Sequence, residues 1–308
     1  QYYEMILSKI PIHTKHYHFY HNFGVILNHQ EEWKEAGEAF QKALQLNPHH
    51  MVGYLHYAQA LVQQGKKSEA IHLYQQGLQY FPEQFAFHTN LGRLYHLSRN
   101  YSQAAEAFLK ALELNPHFAE VHFNLGNVYS ELGQLEEAKS CFEKALAINP
   151  RYVLALEHLG NILQERGDAE GAVFAYQQAL QIQPDFSDIY SNLAQAYQRL
   201  GWYEESLAAF KKALALQPNS PSLYNNLGHF YQLQGMMDQA MEYYQKALEL
   251  KPTYLDALNN LGNVYQGLGE LNKALELYDK VLVLDPSYLL AYGNRLMCLQ
   301  YDPNQTPA

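Results

Sequence analysis

Residues 119–152 read AEVHFNLGNVYSELGQLEEAKSCFEKALAINPRY, and variants of this pattern return along most of the 308-residue chain. The stretch contains one of eight prolines spaced 34 residues apart, at positions 48, 82, 116, 150, 184, 218, 252 and 286. A fixed period of this length is typical of stacked arrays in which each repeat contacts its neighbours. The sequence therefore predicts a repeat protein whose function lies on its surfaces rather than in one central pocket.

The period divides the chain once the proline is assigned to position 32 of each repeat. The N-terminal residues 1–16 then correspond to a degenerate capping helix, and residues 289–308 to a partial ninth repeat with a C-terminal helix and a junction. Between them lie eight repeats of 34 residues, at 17–50, 51–84, 85–118, 119–152, 153–186, 187–220, 221–254 and 255–288.

Small and large residues occupy fixed positions within each repeat. Position 8 is glycine or alanine, position 20 is alanine or serine, and position 24 is always phenylalanine or tyrosine. Small residues let two helices cross closely while an aromatic ring fills the adjacent space. Glycine at position 15 in six repeats ends the first helix, and the proline follows the second. The predicted fold class is all-α, a right-handed solenoid of antiparallel helix pairs, that is, an α-α superhelix.

The fourth repeat carries a signature that resembles the tetratricopeptide (TPR) repeat, L-G-x-x-Y, then A-x-x-x-F, then P. The resemblance covers residues 17–288 and implies a protein-binding superhelix whose first helices line a concave groove. The matching residues are Leu125, Gly126, Tyr129, Ala138, Phe142 and Pro150.

Composition excludes several classes of protein. A hydrophobic content of 48% and an aromatic content of 14% indicate a folded chain, and the formal net charge of -10 argues against binding to nucleic acid or an anionic membrane. The chain has no run of about 18 apolar residues that would span a bilayer. Its two cysteines, Cys141 and Cys298, lie far apart and form no C-x-x-C pair, which favours a cytoplasmic, intracellular location.

Catalytic motifs are missing from the sequence. It contains no phosphate loop, no H-E-x-x-H and no G-x-S-x-G, so we predict no catalytic residue and leave open whether the chain is part of an enzyme. Eight of the fifteen histidines lie between His13 and His56. They form either a polar, half-buried helix face or a metal site; the lack of nearby acidic or cysteine ligands favours the face. We expect no metal and no cofactor in this chain.

Position 6, on the first helix, is the candidate functional position. Seven of its nine copies are asparagine, although asparagine is a mediocre helix former. Each amide offers a donor and an acceptor, which suits the backbone of an extended peptide. The alternative is structural: these amides would hydrogen-bond neighbouring helices. The predicted peptide-binding residues are Asn22, Asn90, Asn124, Asn192, Asn226, Asn260 and Asn294 at position 6, Glu120, Asp188 and Asp256 at position 2, and Asn127 and Asn263 at position 9.

Two stretches narrow the resemblance. Residues 257–265, ALNNLGNVY, and residues 294–303, NRLMCLQYDP, are similar to the TPR arm of O-GlcNAc transferase and its SPINDLY-type relatives, family 41 glycosyltransferases, although Arg295 replaces the family's leucine. The resemblance implies an arm that holds acceptor protein extended, with asparagines on its backbone and Asp188 and Asp256 reading its side chains. It also implies a nucleotide-sugar donor bound by a catalytic domain outside these residues.

The rival prediction is a stand-alone TPR scaffold for assembly of a protein complex. A clamp for acidic chaperone tails is disfavoured, because position 13 offers only Arg199 as a strong cation. We expect the partner to be a protein or peptide in extended conformation, with no nucleic acid and no membrane. A homodimer would form through the convex face or an end of the solenoid.

Overall fold

A computed structural model describes residues 17–300, and every regular element in this range is an α-helix. The expected capping helix at 1–16 and the last residues of the junction, 301–308, lie outside the described residues. The chain divides after Pro150 into two compact units. None of the helices between residues 17 and 300 combines the length and apolarity that crossing a bilayer requires.

The described part of the first unit contains eight helices that pair into four hairpins, α1 with α2 through α7 with α8. Within this unit each hairpin also packs against the next one. The helices are α1 Tyr17–His29, α2 Trp33–Leu46, α3 Met51–Gln63, α4 Lys67–Tyr80, α5 Phe85–Leu97, α6 Tyr101–Leu114, α7 Ala119–Glu131 and α8 Leu135–Ile148.

The described part of the second unit contains four further hairpins and a single helix, α17, that packs on the last of them. The helices are α9 Val153–Glu165, α10 Ala169–Ile182, α11 Ser187–Arg199, α12 Tyr203–Leu216, α13 Pro221–Leu233, α14 Met237–Leu250, α15 Leu255–Gly267, α16 Leu271–Leu284 and α17 Leu289–Gln300. The predicted all-α class is confirmed.

A left-handed residue separates the two helices of each hairpin. Six hairpins use glycine there, for example Gly133 with φ of 71°. The other two use Glu31 (φ 61°) and Arg99 (φ 60°), the two residues that replace glycine in the sequence pattern. A residue with a Cβ is strained in this region, so the hairpin geometry holds it there.

The position-8 residues explain how closely the helices cross. A Cβ added to Gly126 would lie 2.6 Å from Cε1 of Phe142, and one added to Gly160 would clash with Cε1 of Tyr176. The rings that fill this space are fully buried in most repeats. This contact therefore fixes the register between the first and the second helix of a hairpin. The register in turn sets the direction in which the first-helix side chains point.

Candidate functional site

Four asparagines of the second unit occupy one equivalent position on successive first helices. Asn192 lies on α11, Asn226 on α13, Asn260 on α15 and Asn294 on α17, and all four are half-buried. We call the surface formed by these four residues the amide face. Its spacing is one amide per repeat, because the hairpins that carry it have the same length and packing.

Three of these amides are hydrogen-bonded to position 5 of the preceding repeat. Their Nδ2 groups donate to the position-5 side chain one repeat earlier, and two of the three acceptors, Asn225 and Asn259, are 7% and 4% exposed. A buried amide oxygen needs a donor, so each bond satisfies the partner as well as orienting the asparagine. The pairs are Asn226 with Ser191 Oγ (3.1 Å), Asn260 with Asn225 Oδ1 (3.1 Å) and Asn294 with Asn259 Oδ1 (2.9 Å).

Asn192 uses a different partner, since the preceding repeat carries Glu157 at position 5. Its Nδ2 donates to Oδ1 of Asn161 at 3.2 Å. The same oxygen accepts the hydroxyl of Tyr176 at 2.6 Å, so Asn161 joins the first helix to the buried ring of its own hairpin. The amide is oriented here as well, by position 9 instead of position 5.

The sequence left open that these amides hydrogen-bond neighbouring helices. The NH2 groups of the amide face do so. Within the described residues, each of the four amides makes one side-chain hydrogen bond, and the NH2 group is the donor in each. An amide oxygen has two lone pairs. The four Oδ1 atoms therefore keep their capacity to accept hydrogen bonds from a bound molecule.

The acidic residues of position 2 are exposed, and two of them already interact with neighbours. Asp256 accepts the hydroxyl of Tyr288 at 2.7 Å, and burial together with this bond raises the pKa of Tyr288. Burial and then the charge of Asp188 raise the pKa of Glu157. Glu120, on α7, is exposed. Asp188 thus forms an acidic pair with a residue that the sequence pattern did not single out.

The position-9 asparagines belong to the hairpin interior. Oδ1 of Asn263 accepts the hydroxyl of Tyr278 at 2.8 Å. In the fourth repeat the ring is Phe142, which has no hydroxyl, and the Oδ1 atom of Asn127 is buried without a hydrogen-bond partner. Both residues are half-buried, and their role in binding a peptide stays a prediction.

The first unit carries its own position-6 asparagines. Asn22 on α1 is exposed, whereas Asn90 on α5 and Asn124 on α7 are half-buried. Asn90 hydrogen-bonds the phenol of Tyr74; burial outweighs this bond and raises the pKa of Tyr74 to about 12. The inter-repeat amide bonds of the second unit are not found among the described residues of this unit, where position 5 of the preceding repeats carries Leu55 and Thr89.

His21, His122 and both cysteines are buried, whereas other histidines, such as His117, are exposed. His21, on α1, is 8% exposed and stacks on His56 of α3. No group of three or more His, Cys, Asp or Glu side chains within residues 17–300 is arranged to hold a metal ion. Burial raises the pKa of the Cys141 thiol to about 11, which keeps it protonated and unreactive near neutral pH. Cys298 is fully buried and donates to the carbonyl of Leu271.

The sequence pattern missed the partners of the amide face. Ser191, Asn225 and Asn259 all precede a position-6 asparagine by one residue. A search for donor and acceptor side chains 35 residues apart could have found them. This spacing is one residue more than the repeat, because position 6 of a first helix contacts position 5 of the preceding first helix.

Residues 49–225, more than half of the chain, match the family model described as the cilia and flagella-associated protein 70 C-terminal domain, a TPR model. The chain belongs to this tetratricopeptide-repeat family. Two general TPR models match residues 17–50 and 219–286. No curated protein matches the sequence.

Solved structures share the fold. A TPR protein from Parabacteroides merdae is 18% identical, with a TM-score of 0.71 over 81% of this chain and 98% of its own. TTC0263 from Thermus thermophilus is 26% identical, with a TM-score of 0.54 over 59% of this chain and 100% of its own. MamA is 25% identical, with a TM-score of 0.52 over 55% of this chain and 92% of its own. This chain is a TPR scaffold suited to protein–protein interaction.

Proposed function

We propose that the amide face binds the backbone of an extended polypeptide, with each asparagine Oδ1 accepting a backbone N–H. The observation that carries the proposal is the orientation of four successive amides by hydrogen bonds through their NH2 groups. Recognition through backbone groups is independent of the ligand's side chains, so one face would accept many sequences.

The energetics favour modest affinity. Each hydrogen bond to the ligand would contribute about 0.5–1.5 kcal/mol net. Ordering each ligand residue costs about 1–2 kcal/mol of backbone entropy, so the two nearly cancel. Fixing the amides in the free protein removes part of the cost on the protein's side, because those side chains lose little freedom on binding. Side-chain contacts would therefore decide which peptides bind well.

Asp188 is the better candidate for such a side-chain contact. It is exposed and lies near the half-buried Glu157, whose pKa it helps to raise, so a ligand lysine or arginine would relieve the repulsion between the two carboxylates. Asp256 has the hydroxyl of Tyr288 as a partner at 2.7 Å. A ligand would have to share or displace that bond to use Asp256.

The finer proposal is that this face is the acceptor-recognition arm of a protein O-glycosyltransferase. It is supported by the stretches at 257–265 and 294–303 that resemble that family, with Asn192, Asn226, Asn260 and Asn294 gripping backbone. Reading the gene beyond the codon for Ala308 tests it: a two-lobed catalytic domain would support it, and a stop codon would exclude it in favour of a stand-alone scaffold.

The binding proposal is tested with two matched pairs of substitutions. Asn260→Ala with Asn294→Ala removes two amides from the face. Asn225→Ala with Asn259→Ala breaks the same two inter-repeat hydrogen bonds from the buried side and leaves the face amides in place. Peptides selected on the wild-type chain from a displayed random library serve as probes, and fluorescence anisotropy measures their Kd.

We expect the face pair to weaken binding of the selected peptides by about tenfold or more, the loss of one to two net hydrogen bonds. The buried pair should lower stability by a similar amount while keeping most of the binding. Equal binding losses in both pairs, or none in either, would mean that the amides act only between helices.

A further inference from the structure

The first unit has two open clefts at equivalent positions of the repeat, and both lie away from the asparagines. One lies between the second helices α2 and α4 over α3, and the other between α6 and α8 over α7; each has a volume of about 700 Å³. The first helix contributes positions 4, 7 and 11 to each floor. On an α-helix these three positions share one side, and position 6 points away from it.

A side-chain bridge distinguishes two other repeat interfaces from these clefts. At those two interfaces a position-25 glutamine donates to a position-11 tyrosine of the next repeat. Gln75 Nε2 donates to Tyr95 Oη at 2.9 Å, and Gln177 Nε2 donates to Tyr197 Oη at 2.9 Å.

The open clefts lack one half of this bridge. Between α6 and α8, position 25 is Leu109, which has no donor for the hydroxyl of Tyr129. Between α2 and α4, position 11 is Leu61, which offers no hydroxyl to Gln41. Single residues at positions 25 and 11 therefore prevent this bridge in both clefts.

The α6/α8 cleft combines an apolar interior with a negative rim. Leu109, Leu112, Leu125, Tyr129 and Cys141 form the interior, and Leu109 is 44% exposed, although leucine at a packed helix interface is normally covered. Three carboxylates and one ammonium group lie at the rim, on Glu113, Glu136, Glu137 and Lys144, and Glu113 is paired with Lys110 at 2.7 Å.

The rim charge is felt inside this cleft. Burial, then Cys141 and then the charge of Glu137 raise the pKa of Tyr129. Burial raises the pKa of Cys141; the charge of Lys144 opposes this rise and Glu137 adds less to it. The α2/α4 cleft differs: its rim is formed mainly by glutamines, Gln41, Gln45, Gln76 and Gln79, and its one carboxylate, Glu69, pairs with Lys66. Of the two clefts, the one between α6 and α8 is therefore the one that would select a charged partner.

We propose that the α6/α8 cleft is a second docking site, separate from the amide face, for a protein segment that presents one large apolar side chain flanked by arginine or lysine. The apolar side chain would cover Leu109 and fill the space above Leu125 and Tyr129. The flanking cations would meet the carboxylates of Glu136 and Glu137, which favours basic segments over acidic ones.

The test uses a short fluorescein-labelled peptide with one phenylalanine flanked by arginines, and the chain of 308 residues. Two control peptides replace the arginines with glutamates or the phenylalanine with alanine. The informative variant is Leu109→Gln, which replaces the apolar wall of the cleft with an amide that can donate to Tyr129, as Gln75 donates to Tyr95. It leaves the net charge unchanged, which separates cleft binding from general attraction of a cation to an acidic protein.

Three further variants complete the test. Leu109→Met keeps an apolar wall of similar volume and should bind like the wild type. Glu136→Gln with Glu137→Gln removes the rim charge. Asn260→Ala, on the amide face, should leave this peptide's affinity unchanged. Because Leu109 is already 44% exposed, the glutamine variant should fold, and a melting curve verifies this.

We expect about a tenfold rise in Kd for Leu109→Gln, the loss typical of a central apolar contact, and a smaller rise for the rim pair. The alanine and glutamate peptides should bind the wild type more weakly than the parent peptide. Binding that ignores Leu109→Gln, equal binding of all three peptides, or no binding at all would each overturn the proposal.

Discussion

The hydroxyl of Tyr278 donates to Oδ1 of Asn263 at 2.8 Å, inside the last hairpin of the second unit. The same hydroxyl reaches Oε1 of Gln266 at 2.9 Å. Tyr176 makes the equivalent bond to Asn161 at 2.6 Å. The buried tyrosine of the second helix thus satisfies amide oxygens of the first helix in three hairpins of the second unit, at Tyr176, Tyr244 and Tyr278, and a phenylalanine cannot do so.

Phe142→Tyr is predicted to stabilise the first unit. The Oδ1 atom of Asn127 is buried without a partner, and the new hydroxyl would supply the donor that Tyr278 gives to Asn263. The expected gain is about 0.5–1.5 kcal/mol in the free energy of unfolding. Urea denaturation measures it.

Tyr278→Phe is the matched reverse change and should lower the free energy of unfolding by about 1–3 kcal/mol, because two amide oxygens lose their donor. A Phe142→Tyr variant less stable than the wild type would show that the ring pocket has no room for the oxygen. The hydrogen-bond argument would then fail for the fourth repeat.

Gly126→Leu is predicted to destabilise the chain by overpacking. A Cβ at this position already lies 2.6 Å from Cε1 of Phe142, so the larger side chain must push the helices apart, at a cost of about 1–3 kcal/mol. Gly126→Ala should cost less, because Ala58 and Ala194 occupy the same position in other repeats. Thermal melting ranks the two.

Gly293→Ala is the control for helix propensity. Gly293 lies inside α17 with nothing within 4 Å of an added Cβ. Alanine there should stabilise the helix by about 0.5–1 kcal/mol, since glycine loses more chain entropy on folding.

An unchanged melting temperature for Gly126→Leu would contradict the position-8 contact that fixes the register of the repeats.

The repeat frame could be predicted from the sequence because residues of similar size recur at the same positions of each repeat. Gly126 opposite Phe142, and a left-handed residue at Glu31 and Arg99, follow from residue size and backbone sterics that recur at each period. The hydrogen-bond partners of the amide face were not predictable in the same way. Whether Asn260 points to Asn225 or to solvent depends on the offset between adjacent first helices, and no single repeat encodes that offset.

The side chains of His21, His50 and His56 meet near the start of the first unit. Ring centroids lie 4.4 Å apart for His21 and His50 and 5.1 Å apart for His21 and His56. One buried ring nitrogen of each lacks a hydrogen-bond partner. Burial, and then the charges of neighbouring histidines, lower the pKa of His21 to about 4 and lower those of His50 and His56.

Acid is therefore predicted to destabilise this part of the first unit. A histidine whose pKa in the folded state lies below its ordinary value of 6.5 binds a proton more readily when unfolded. The stabilisation from the neutral cluster is complete above about pH 6.5 and is lost progressively as the pH falls toward about 4. Melting temperatures across this range, with hydrogen exchange at α1 and α3, measure the loss.

His21→Phe should reduce this pH dependence without preventing folding. The fourth repeat has Phe123 at the same position, with its ring 5.8 Å from Phe142, much as His21 lies 5.6 Å from Phe40. Phenylalanine therefore fits the site and cannot be protonated. The groups that face His21 are His18 on its own helix, His50 in the connection before α3 and His56 on α3.

His117→Ala is the control, because it removes an exposed histidine and should leave the pH dependence as in the wild type. If His117→Ala shifts the curve as much as His21→Phe does, the general charge of the protein, not the buried cluster, governs the acid response.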